Sequence, residues 1–155
     1  MRQIKEIIYT AGVLNRCEQI ANLKGFLKLR PYDNEFAHHM TIQYGGIGVA
    51  LPWYIGKLDT FHTDWLVADD KAMAVFGKPL DDELWDVMLD LKQVPHITLG
   101  TAKDIAPVYS NGLLMSKATH ISLHMNLDIR CGAYCIMEDT EEPEWIFGLE
   151  DLIER

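Results

Sequence analysis

Two triplets of this sequence carry residue types suited to proton transfer and anion binding: His39-Met40-Thr41 and His96-Ile97-Thr98, 57 residues apart. Each is followed by an apolar residue, Ile42 or Leu99. In extended backbone, residues i and i+2 face the same side, so each triplet sets an imidazole beside a hydroxyl and turns its apolar members the other way. Two such strands facing one cleft surround a common point with two imidazoles and two hydroxyls. The set suits phosphodiester cleavage. A neutral histidine takes the proton of an attacking hydroxyl, a protonated one supplies the leaving oxygen, and an unperturbed pKa of about 6.5 keeps both states accessible near neutrality. Threonine hydroxyls donate to the non-bridging phosphate oxygens, where a carboxylate would repel. His39, Thr41, His96 and Thr98 are therefore the expected catalytic residues. Which histidine is acid and which is base depends on the pose of the substrate and stays open.

Other histidines compete for these roles. His120-Ile121-Ser122 also fits an H-x-[ST] pattern, but Pro95 through Gly100 reproduces the apolar frame of the first triplet more closely, which favours His96. Zinc sites draw on close spacings such as His-x3–5-His. The pair with that spacing, His120 and His124, lacks a partnered Cys or Glu motif, so no metal and no other cofactor is expected. His38, next to His39, is expected on the opposite strand face. Among the aromatic residues, Tyr9 in the first strand and Trp65 on the polar-flanked stretch His62-Thr63-Asp64 are the expected substrate-stacking side chains. Gly45, Gly46 and Gly48 form neither a GxGxxG nor a Walker loop.

The elements that must position these residues are legible from periodicity. Residues 5–14 read as a strand rich in β-branched and aromatic types, stopping at Asn15, a good helix cap. Apolar residues at three- and four-residue steps predict a helix from Arg16 to Arg30, where Pro31 ends the pattern. Residues 36–44 alternate as a half-buried strand ended by Gly45-Gly46. Residues 60–68 and 71–76 read as a hairpin about Asp69-Asp70, and residues 81–91 as a helix with an acidic first turn. Residues 94–102 form a strand, 106–115 hold a short helix, and 120–136 supply one long strand or a bent pair. Interleaved strands and helices of this kind predict an α+β fold: two pseudo-symmetric lobes with largely antiparallel sheets around a central cleft, as one domain over 1–155.

Composition bounds the partners. The chain has 155 residues, 48% of them hydrophobic, enough to bury one core. Its 14 Lys+Arg against 23 Asp+Glu give a net charge of −9, which argues against long, non-specifically bound nucleic acid. The segment 138–155 holds eight acidic residues against one basic and so accounts for −7, leaving −2 for the rest. Such a segment reads as a solvated tail or surface helix, with covering the cleft or hydrogen-bonding a base through a carboxylate as the alternative. Cys17, Cys131 and Cys135 are odd in number and form no CxxC pair. With no signal-like or membrane-length apolar run, a cytosolic protein in a reducing compartment is expected, the host cytoplasm if the chain is viral.

The paired triplets His39-Met40-Thr41 and His96-Ile97-Thr98 resemble the signature of the two-histidine phosphoesterase superfamily, over residues 4 to 136. The stretch Pro107-Val108-Tyr109-Ser110-Asn111 resembles the branch related to the cyclic phosphodiesterase part of RNA repair ligases. The length and the opening strand with Tyr9 are similar to small phage proteins that cleave the cyclic oligonucleotide signals of bacterial antiviral (CBASS) defence. The resemblance implies metal-independent cleavage of small cyclic di- or trinucleotides. Hydrolysis of 2′,3′-cyclic phosphate ends in RNA repair is the enzymatic alternative, and a non-catalytic cyclic-nucleotide sponge the third. Base preference and oligomeric state are not legible in the sequence.

Overall fold

The computed structural model describes residues 1–153; Glu154 and Arg155 of the acidic segment lie outside the described residues. The chain opens with strand β1 (Ile4–Leu14), whose buried C-terminal half reads Ala-Gly-Val-Leu. Helix α1 (Cys17–Gly25) follows, shorter than the periodicity suggests because its last turn tightens into a 3-10 helix at Phe26–Lys28. Its cap position is Arg16, without a side-chain cap bond, and not Asn15. The strand expected over 36–44 is shortened to β3 (His39–Tyr44), and a two-residue strand β2 (Asn34–Glu35) precedes it. The hairpin β4 (Leu58–Ala68) and β5 (Ala72–Pro79) turns at Asp69, whose Oδ1 accepts from the backbone N–H of Lys71 and Ala72 at 2.8 and 2.9 Å. Helix α2 (Asp82–Asp90) is capped by Asp81, which accepts from Leu84 N–H. Strand β6 (His96–Thr101) and a 3-10 helix over Pro107–Met115 follow. The region 120–136 is the bent pair: β7 (Thr119–Ser122) and β8 (Asn126–Met137), followed by β9 (Pro143–Ile146).

Every strand pairing is antiparallel. The sheet order β4-β5-β6-β3-β1-β8 is closed by pairing of β4 with β8, so six strands make a ring, with β7 and β9 extending from β4 and β8 and β2 beside β6. The ring has an approximate two-fold plan. β1-α1-β3 is one strand-helix-strand half and β5-α2-β6 the other; they meet at the β3–β6 seam, and β8 and β4 join them on the far side. This is the α+β arrangement of two similar halves that the sequence predicts.

The main core lies on one face of the ring. Met40 and Ile42 of β3 and Ile97 and Leu99 of β6 point into it, beneath Leu23 and Leu27 from α1 and its following turn and Leu84 and Met88 of α2. The side chains that alternate with them along β3 and β6 face the opposite way. A second cluster joins Ile7, Cys135 and Ile146 to Leu152.

That cluster corrects the expectation of a solvated acidic tail or surface helix. Residues 143–146 pair with β8, and apolar residues interspersed among the acids bury Ile146 and Leu152. Arg2 bonds both Asp139 and Glu144, Lys5 bonds Glu141 at 3.0 Å, and Arg130 bonds Glu150 at 3.2 Å, so several of these carboxylates meet cations on the body of the ring. All three cysteines are free thiols, and among the described residues no helix is long and apolar enough to cross a membrane.

Candidate active site

Strands β3 and β6 meet at a single ladder pair, Met40 with Ile97, the central residues of the two triplets. Both side chains are fully buried in the helix-covered core. The residues flanking each of them project to the other face, where His39, Thr41, His96 and Thr98 line one cavity of about 560 Å3. Antiparallel register places Thr41 opposite His96. The triplets, 57 residues apart in sequence, are thus joined back to back by their own apolar middles.

The seam is not perfectly symmetric. Beyond Met40 the ladder does not continue in register: the N–H of Ala37 donates to Thr98 O at 2.9 Å, leaving residues 38 and 39 bulged out of the pairing with β6. Ala37 takes φ +63° to make this turn. As a result His38 does not point away from His39, as simple alternation requires. It lines the same cavity, with its Nδ1 2.9 Å from His39 Nδ1. Alternation failed here because a bulge breaks the period of two.

Burial governs the protonation of these rings. His39 is mostly enclosed, and loss of solvation, reinforced by the neighbouring His38 and His96, pushes its pKa down to about 4. Burial also lowers His96, partly offset by a hydrogen bond from its Nδ1–H to Val94 O at 2.8 Å. That bond fixes the tautomer: neutral His96 carries its hydrogen on Nδ1 and has its lone pair on Nε2. In the neutral His38–His39 pair one Nδ1 donates and the other accepts, so the tautomers of the two rings are tied to each other.

Each histidine is backed by an aromatic ring on the neighbouring strand, in keeping with the two-fold plan. Tyr9 of β1 stacks on His39 with centroids 5.2 Å apart, and Phe76 of β5 stacks on His96 at the same distance. Tyr9 lines the cavity as expected and also meets Trp145 of β9 edge-on. The other sequence-predicted stacker, Trp65, is not brought to this site. It lies on β4, separated from β6 by β5 and from β3 by β5 and β6, and its ring approaches His120 instead. His120 itself turns both ring nitrogens to backbone carbonyls, of Ala118 and Leu114.

Thr98 Oγ1 lies 2.7 Å from Ser110 Oγ, whose own hydrogen goes to Pro107 O at 2.7 Å. Ser110 therefore accepts from Thr98 at rest, and Thr98 donates to a ligand only by turning its hydrogen away from Ser110. Besides His38, sequence reasoning missed Tyr44, Gln93 and Asn111 among the lining residues. Their types carry no catalytic signature, and only the fold brings them here. The lining contains no Asp, Glu, Lys or Arg, so the −9 net charge of the chain stays out of the cavity wall.

Comparison with known families makes this a phosphodiesterase domain of the two-histidine phosphoesterase type. The chain belongs to the family described as the fungal tRNA ligase phosphodiesterase domain, whose model matches residues 32–130, a stretch containing both triplets. No curated protein matches the sequence.

Proposed function

We propose that this phosphodiesterase domain hydrolyses 2′,3′-cyclic phosphate ends of RNA, with His39 and His96 as the acid–base pair and Thr41 and Thr98 on the phosphate. The observation that carries the reading is one cavity lined by both His–Thr pairs and by no ionised acid, lysine or arginine. A cyclic phosphate presents a single negative charge with a ribose and base attached. It suits neutral hydroxyl and imidazole donors with an aromatic wall, whereas an extended polyanion calls for a basic track. The words tRNA ligase phosphodiesterase in the family description point the same way.

His96 Nε2, the lone-pair nitrogen, takes a proton from water as the water oxygen forms its bond to phosphorus. One ring P–O bond breaks, and the departing ribose oxygen takes a proton from His39 Nε2, leaving a phosphomonoester. The extra proton this requires is held by the His38–His39 pair. Its affinity is low in the empty site and rises when the phosphate anion arrives. His38 acts through His39 and is a positioning residue. The threonine hydroxyls donate to the non-bridging oxygens as charge grows there.

A second reading keeps the same four residues and makes the substrate a small cyclic di- or trinucleotide, with a role against bacterial antiviral signalling. The compact cavity, with no lysine or arginine among its lining residues, also accommodates this reading. One experiment separates them: the chain is incubated with RNA ending in a 2′,3′-cyclic phosphate and with a panel of cyclic di- and trinucleotides, with and without EDTA, and products are read by mass spectrometry. Gain of one water on the RNA end, unaffected by EDTA and reduced about 10²–10⁴-fold in His39→Ala and in His96→Ala, is the expected result. Opening of the cyclic oligonucleotides alone establishes the second reading. Recovery of every compound intact refutes both and leaves binding without turnover.

A further inference from the structure

Away from the residues that line the cavity, β4 changes partner from β8 to β7. At that point Asp64 bulges out of the pairing with β5, since Thr63 faces Gly77 and Trp65 faces Phe76. The turn between β7 and β8 is clamped against this bulge by Thr63. Its fully buried hydroxyl donates to Leu123 O at 2.7 Å and accepts from Met125 N–H at 2.9 Å, bracketing His124 on both sides. The clamp brings His124 to His62 and Asp64, with one donor atom from each of the three within 4.8 Å of the others.

The outer hydrogen bonds of the two imidazoles aim them inward. His62 Nδ1–H donates to Asn126 Oδ1 at 2.8 Å, which leaves the lone pair of neutral His62 on Nε2, 3.8 Å from Asp64 Oδ1. His124 Nε2 bonds Ser122 Oγ at 3.1 Å, which leaves Nδ1 toward the same carboxylate oxygen at 3.9 Å. A second hydrogen-bonding shell that occupies the far nitrogen of each imidazole is the arrangement that orients histidines toward a metal. At metal–ligand distances of about 2.0–2.2 Å, neighbouring ligand atoms of a tetrahedral site stand about 3.4 Å apart. The two His–Asp separations are therefore only about 0.5 Å too long; the two imidazoles stack nearly parallel with centroids 5.7 Å apart and donor atoms within 4.8 Å, so closing on an ion requires the rings to turn toward it.

We propose that His62, Asp64 and His124 form a binding site for a divalent transition-metal ion of the zinc class, with water in its remaining position. Two imidazole nitrogens and one carboxylate oxygen suit zinc, and the partly exposed side chains leave a path for the ion from solvent. None of the three residues lines the catalytic cavity, so the ion ties β4 to the β7–β8 turn and takes no part in cleavage. The site escaped sequence reasoning because 62 residues separate His62 from His124, and the close-spaced partner of His124, His120, faces backbone carbonyls.

The test is titration of the full chain with Co2+, read by visible ligand-field absorption, followed by Zn2+ competition against a chromogenic chelator. The expected result is one equivalent bound with the intense band of a four-coordinate ion, displacement by Zn2+, and a Tm raised by Zn2+. In Asn126→Ala, zinc binding weakens about 10–100-fold, and in His124→Ala and Asp64→Asn by more than about 100-fold. His120→Ala and Cys17→Ser bind like the parent. Absence of saturable binding at micromolar metal overturns the proposal. So does one-equivalent binding that survives in both His124→Ala and Asp64→Asn, or that is lost in Cys17→Ser, where the exposed thiol is then the ligand.

Discussion

Acidification tests how His39 is held. In the unfolded chain this imidazole titrates near 6.5, and in the folded site near 4. Because the folded value is the lower one, the unfolded chain takes up the proton first as pH falls. The contribution of neutral His39 to stability is therefore complete above about pH 6.5, is lost progressively below it, and is gone below about pH 4. At about 1.4 kcal/mol per pH unit, the gap between the two values corresponds to about 3 kcal/mol. Many carboxylates titrate in the same window, so the informative quantity is a difference between two proteins. Urea unfolding of the parent and of His39→Gln is measured at half-unit steps from pH 7.5 to 4. The parent should lose about 3 kcal/mol more than the variant across that range, with the divergence beginning near pH 6.5. Parallel curves would refute the account of a desolvated His39, as would an NMR titration placing its ring near 6.5 in the folded protein.

On the proposed reading, Thr98→Ala removes a hydroxyl assigned to the phosphate and should lower kcat about 10²–10³-fold. Ser110→Ala, which removes the resting partner of Thr98 and the bond to Pro107 O, should lower kcat no more than about fivefold, the equivalent of about 1 kcal/mol, and initial rates under saturating substrate distinguish the two. Tyr9→Ala should reduce kcat/KM about 5- to 150-fold through lost stacking and packing, whereas Trp65→Ala should leave it unchanged, because that ring lies against His120. Gly77→Ala would place a Cβ 1.9 Å from the carbonyl oxygen of His62, and the forced shift of β4 should cost about 1–3 kcal/mol or more, read as a lower Tm.

The regular parts of this protein were legible because period-two alternation on β3 and β6 states both what is buried and what is presented. Met40, Ile42, Ile97 and Leu99 fill the core, and the histidines and threonines between them share the opposite face. What escaped were features that depend on contacts distant in sequence or on a broken period. His38 enters the cavity only because Ala37 adopts a positive φ, which no local glycine or asparagine signals. Trp65 sits on a polar-flanked strand like a binding residue, yet its distance from the site is fixed by β5 and β6 lying between β4 and β3. The acidic end looked solvated because its charge masks the few apolar residues, Ile146 and Leu152 among them, that dock it onto β8.

The seam at Met40 and Ile97 has one more consequence. Two imidazoles and two hydroxyls related by a near two-fold axis have no direction of their own: turned end over end, the quartet is the same quartet. An enzyme that releases one particular oxygen of a ring needs a left and a right. In this site the unmatched additions break that symmetry: His38 beside His39, Val94 O beside His96 and Ser110 beside Thr98. On the proposed reading, the choice of leaving oxygen then rests on residues outside the triplets as well as on the triplets themselves.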